Sequence, residues 1–168
     1  MTKILKLDKT YLFVALMILF AAVLNVLPIP YWTKHYWPDW MLLTTIYWCL
    51  AMPLKFNIKF AWSVGIFADL LHGSLIGHQA LLYTIAAYLA SSFHQLIRFY
   101  PPHQQIIPII LILFVCEVIT LWINGLRYSF ENVQFLDLFS AITGGLIWPW
   151  VFSVLRGLRQ KLYPTAHG

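Results

Sequence analysis

Residues 67–79 read FADLLHGSLIGHQ, a stretch that sets a carboxylate, two histidines and two glycines between long apolar runs. The setting of Asp69 decides the fold, because an ionised side chain costs little in a soluble loop and a great deal in hydrocarbon. Outward from it, residues 60–68 and 70–97 contain no Asp, Glu, Lys or Arg, and neither do 10–33, 40–54, 99–116 and 138–155. Of 168 residues 61% are hydrophobic and 10% charged, where a soluble domain carries roughly 25% charged residues. Several of the blocks reach the roughly 18 to 20 residues that cross a bilayer. The chain reads as an all-α integral membrane protein.

Six transmembrane helices are predicted, over about 11–28, 40–54, 57–72, 77–97, 105–124 and 137–156, forming a single polytopic membrane domain over 1–168. Segment 40–54 is short enough to be re-entrant, but charge placement favours a full crossing. With six crossings both termini share a side with the loops near 55–59 and 98–104. That side then holds Lys3, Lys6, Lys9, Lys55, Lys59, Arg98, Arg156, Arg159 and Lys161, against Lys34 and Arg127 on the other. Positive charge marks the cytoplasmic face, so both termini are expected there. The basic start and the apolar stretch after it resemble a signal peptide, but the apolar part is too long, and a retained first helix is expected.

The net charge of +5 is accounted for by this anchoring to anionic headgroups, and no basic cluster points to nucleic acid. Cys49 and Cys116 fall inside apolar helices, where thiols act as small packing groups. Trp32, Trp37, Trp40, Tyr31 and Tyr36 crowd the first outer loop as an interfacial belt. No G-x-S-x-G elbow, Walker loop or HExxH pair occurs, and His35, His72 and His78 lack the ligand spacing of a zinc site. No enzyme activity, metal or cofactor is expected.

Two carboxylates fall within predicted helices, Asp69 and Glu117. At helical spacing Glu117 shares a face with Leu113, Thr120 and Asn124, and Asp69 shares a stripe with Gly65 and Gly73, where missing side chains let another helix approach. Four roles remain open for the pair: accepting hydrogen bonds from a neighbouring helix end or pairing with His72, Lys34 or Arg127; docking another protein's helix; a proton or cation path; catalysis. The run from Gly73 to Gly77 matches the GxxxG packing pattern and also reads as a turn, with Gly73 as a left-handed C-cap; the turn is preferred. In the last helix Asp137 is placed to cap the start, Gly144 and Gly145 to allow close packing, Pro149 to kink the middle, and Arg156 and Arg159 to complement the C-terminal dipole.

The series YWCLAMP (47–53), VGIFADLLHGSLIG (64–77), ALLYTIAAYL (80–89) and GLIWPW (145–150) resembles the rod shape-determining protein MreD family, in order, over about 30–159. Its most specific element is Gly65, Asp69, Gly73 and Gly77 joined to the late Trp-Pro-Trp; an acid in the fifth helix, here Glu117, also fits. The resemblance implies a multi-pass inner-membrane subunit of the bacterial elongation machinery that associates with the single-span protein MreC and, directly or indirectly, with MreB, RodA and its transpeptidase partner. Asp69 is then expected to shape an outer groove for MreC's helix, and Lys55 and Lys59 to make cytoplasmic contacts. It further implies a fold related to the substrate-binding subunits of energy-coupling-factor transporters, which leaves a small-molecule binding subunit as the alternative.

Overall fold

The computed structural model of the protein describes residues 2–28, 30, 36–73, 77–128 and 138–162. The described residues form α1 (Thr2–Val26), α2 (Trp40–Ala51), α3 (Ile58–His72), α4 (His78–Ser92), α5 (His94–Phe99), α6 (Ile106–Tyr128) and α7 (Leu138–Leu162), with no strand among them. Each of the six predicted segments falls on helix, with 77–97 split between α4 and α5, and the other differences lie at the ends.

Those differences have local causes. α1 begins at Thr2, inside the basic segment, rather than near residue 11. α2 stops at Ala51 because Met52 precedes Pro53 and is pushed out of helical geometry, to φ −142° and ψ 67°. The predicted helix over 77–97 is broken at Phe93, which sits at φ −99° and ψ 10° between α4 and α5, while His94 Nδ1 donates to the Ser91 carbonyl at 2.6 Å. No proline or glycine marks that break. α7 runs on through Arg156 and Arg159 to Leu162, and it continues as helix across Pro149.

Capping fixes the other boundaries. Asn57 Oδ1 accepts from the Lys59 N–H at 3.0 Å and starts α3. Gly73 ends α3 in the left-handed region, at φ 58°, with its N–H on the Asp69 carbonyl, where a side chain would be strained.

The most extensive contacts join α3 to α4 and α6 to α7, two antiparallel hairpins, while α2 packs against α1, α3, α4 and α7. Every residue from Met41 to Leu50 is buried. That explains why this helix shows no amphipathic period: it has no outer face. Its 12 residues rise about 18 Å, short of the roughly 30 Å of hydrocarbon, and neighbours sheathe it throughout. The outside of the bundle is greasy instead. Leu12, Leu16, Leu19 and Phe20 on α1, Trp122 and Leu126 on α6, and Leu146 and Trp150 on α7 are all exposed, an arrangement suited to lipid and not to water. Within α6 and α7, Ile106–Leu126 and Leu138–Lys161 are long and apolar enough to cross a membrane.

Hydrogen bonds define two ends of the bundle. At one, the start of α2 meets Asn25 near the end of α1 and Tyr83 in α4. At the other, Gln105 just before α6 meets α5 and Trp148 of α7, and Arg159 reaches the last carbonyl of α2.

Candidate functional site

Asp69 lies in the last turn of α3 and is 1% exposed. Its carboxylate reaches across the hairpin to the start of α4. Oδ2 accepts the N–H groups of Gly77 at 2.7 Å and Ala80 at 3.3 Å, and Oδ1 accepts that of Gln79 at 2.7 Å. A helix start leaves four N–H groups without intrahelical acceptors, and the capping residue usually supplies one from its own side chain. Here the capping position is Gly77, at φ 106° and without a side chain. The cap for α4 therefore comes from the neighbouring helix. The negative charge also sits against the positive end of the α4 dipole.

Gly65, one turn before Asp69, makes this reach possible. A Cβ there would stand 2.8 Å from both Ala80 N and Gln79 O and closer still to Ala80 Cα. The start of α4 thus lies directly on the α3 backbone at Gly65, which brings its N–H groups onto the carboxylate one turn further along. Gly65, Asp69, Gly73 and Gly77 come together as one device, in which one glycine admits the partner helix, the aspartate caps it, and two left-handed glycines bound the connection. Residues 74–76 lie outside the described residues. His72 Nδ1 donates to the Ala68 carbonyl at 2.9 Å.

Asp39 is the residue that sequence reasoning missed. It N-caps α2, its Oδ1 accepting from Leu42 N at 2.9 Å. The same carboxylate accepts from Asn25 Nδ2 at 2.8 Å and from the Tyr83 hydroxyl, at 3.0 Å to Oδ1 and 2.8 Å to Oδ2. Asn25 returns a bond, its Oδ1 accepting from Trp40 N at 2.9 Å. One side chain thus ties α1, α2 and α4. The Pro-Asp-Trp at 38–40, just ahead of an apolar run, carried the capping signal; the partners at 14 and 44 residues' distance left none. Tyr83→Phe removes one interhelical hydrogen bond and leaves the cap in place. It is expected to cost about 1 kcal/mol and to lower the thermal midpoint of the purified protein by about 2–4 °C; an unchanged midpoint would show that Asn25 and Leu42 satisfy Asp39 without it.

Glu117 lies at the middle of α6 and accepts from the Ser140 hydroxyl in the first turn of α7. Along the same seam a Cβ on Gly144 would come 2.8 Å from Leu113 Cδ1, and one on Gly145 would collide with the Ile110 side chain. The face carrying Ile110, Leu113 and Glu117 thus packs on the Ser140, Gly144 and Gly145 face of α7, as small residues permit. Asp69 and Glu117 serve different hairpins, each with its own hydrogen-bond donors. Asp137, Lys34 and His35 lie outside the described residues. Among the described residues, no three His, Cys, Asp or Glu side chains gather as a metal site would need.

At the opposite end Gln105 is 2% exposed, its Nε2 donating to the carbonyls of Ile97 at 3.0 Å and Tyr100 at 2.9 Å, its Oε1 accepting from Trp148 Nε1 at 3.0 Å. This places the first Trp of GLIWPW. Arg159 donates to the Ala51 carbonyl at 3.4 Å, so it serves the end of α2 as well as its own helix. Lys55 and Lys59 are exposed beside the same end, in the α2–α3 turn and the first turn of α3.

Carboxylates spent on helix ends, glycine seams between helices and an apolar outside describe a helical membrane protein. The family model of the rod shape-determining protein MreD matches residues 7–158, and the chain belongs to that family. The match takes in α1, ahead of the region where the motifs lie. The rod shape-determining protein MreD of Haemophilus influenzae is 29% identical over 143 residues, covering 84% of this chain and 87% of that protein. No solved structure matches the chain.

Proposed function

We propose that this chain is a non-enzymatic subunit of the bacterial cell-elongation complex, a single polytopic domain crossing the inner membrane six times and docking MreC so that lateral wall synthesis is organised. The observation that carries this reading is the use made of the buried acids: Asp39, Asp69 and Glu117 each bind the start of one helix, or a neighbour of it, to another helix. Such a bundle suits a firm platform for other membrane proteins. Lys55, Lys59, Arg156, Arg159 and Lys161 gather at the Gln105 end, which is therefore the cytoplasmic one, and the Asp39 and Asp69 caps face the periplasmic side. Contact with MreB, RodA or its transpeptidase partner, direct or through MreC, then falls to the two lysines and the chain termini on one face and to the lipid-exposed helices within the membrane.

The test is depletion of the protein from its rod-shaped host, with the wild-type chain supplied back and MreC co-purification measured. Rounding of the cells, restored rods and recovered MreC are expected. Unchanged rods on depletion, in a host with no second copy, would overturn the assignment, and retention of a vitamin-sized ligand by the purified protein would replace it with a binding subunit.

A further inference from the structure

At the cytoplasmic end a cavity of about 220 Å³ opens between α2, α5 and α7, lined among others by Tyr47, Ala51, Gln105, Arg156, Arg159 and Gln160. Its polar groups are unequally satisfied. Gln105 has both ends of its amide engaged. Tyr47 is 1% exposed, yet its hydroxyl finds no hydrogen-bond partner among the described residues. Arg156 and Arg159 line the same cavity as that hydroxyl's residue. No acidic residue lines the cavity among the described residues. Arg156 is exposed at the mouth of the recess, and Arg159 is half-buried and also donates to the Ala51 carbonyl, so both line a recess that holds a buried donor.

We infer that this cavity binds a phosphate group, carried by an anionic phospholipid of the cytoplasmic leaflet or free in solution. Guanidinium forks match phosphate oxygens in pairs, and a phenol supplies the further donor that a carboxylate-sized ligand would not need. The volume holds roughly seven waters, enough for one headgroup and not for a folded peptide. Basic recesses between helices at this level are where lipid phosphates lodge. The choice of leaflet rests on the orientation proposed above, whereas the phosphate site itself depends on the cavity and not on membership of the rod complex.

The test uses the delipidated full chain in detergent. Native mass spectrometry compares retention of phosphatidylglycerol and phosphatidylcholine, with inorganic phosphate added as competitor. Phosphatidylglycerol is expected to be retained preferentially, and Arg156→Gln to weaken it about tenfold, the loss of one hydrogen bond to a charged group. Tyr47→Phe, which removes only the hydroxyl, should weaken it severalfold at an unchanged thermal midpoint, and Lys161→Gln, an exposed cation outside the lining, should not. Displacement of the lipid by inorganic phosphate assigns the site to the soluble anion; resistance assigns it to the headgroup. Binding of neither phosphate source, or equal binding by wild type, Tyr47→Phe and Arg156→Gln, overturns the inference, as does an equal fall with Lys161→Gln.

Discussion

Asp69→Leu is expected to remove most of the folded protein from the membrane. The substitution leaves the N–H groups of Gly77, Gln79 and Ala80 without their acceptor, and the glycine at the cap position has no side chain to replace it. Ala80 is buried, Gln79 half-buried and Gly77 exposed; a buried donor left unpaired costs about 1–3 kcal/mol, so the loss takes a large share of the stability of an ordinary domain, about 5–15 kcal/mol. Asp69→Asn keeps one accepting oxygen and should fall between. The check is the amount of detergent-extractable protein and its thermal midpoint. Wild-type abundance of the leucine variant would mean that α4 finds other acceptors and that Asp69 serves something besides the hairpin. An asparagine variant that folds yet fails to recover MreC would assign it a docking role directly.

Gly65→Val should be nearly as damaging, and for a reason that leads back to the same carboxylate. The added side chain meets backbone, Ala80 N and Gln79 O at 2.8 Å, and backbone cannot rotate away as a side-chain tip can. α4 must back off α3. The overpacking costs about 1–3 kcal/mol, and retreat lengthens the bonds to Asp69, adding part of a cap worth about 0.5–2 kcal/mol. Because the two residues act through one contact, Gly65→Ala combined with Asp69→Asn should lose less than the sum of the single losses. Additive losses in that double variant would separate the close approach from the cap, and a Gly65→Ala protein as stable as wild type would remove the steric premise.

Much of this hairpin was legible from residues 64–80, because its parts are local. A glycine one turn before an intramembrane aspartate, and another one turn after it, place the close approach, the acceptor and the left-handed cap within a dozen residues. The membrane class was legible from composition, and the packing of Gly144 and Gly145 from their size. What stayed hidden was non-local or unmarked. Asp39 sat among aromatic residues that read as an interfacial belt, and its bond to Tyr83 crosses 44 residues with no periodicity to announce it. Gln105 opened a predicted helix with nothing to announce its partners, although Trp148, 43 residues on, depends on it for its indole N–H. The break at Phe93 has no breaker residue. The hydrogen bonds from Asp69 to a neighbouring helix end were one of its open roles, and their partners could not be read from sequence, since they turn on where α4 begins relative to the carboxylate.

The borrowed cap also sets a timetable for synthesis. Asp69 and the donors at Gly77, Gln79 and Ala80 are 8 to 11 residues apart, so at the ribosome's pace of about 5–20 residues per second these are made within about two seconds of one another. The Glu117 contact waits for 23 more residues, Trp148 for 43 after Gln105, and Arg159 for 108 after Ala51. The start of α4 can therefore be answered by the helix ahead of it before any of these longer-range bonds has both of its partners, and its helix end need not stay open while the rest is still being translated.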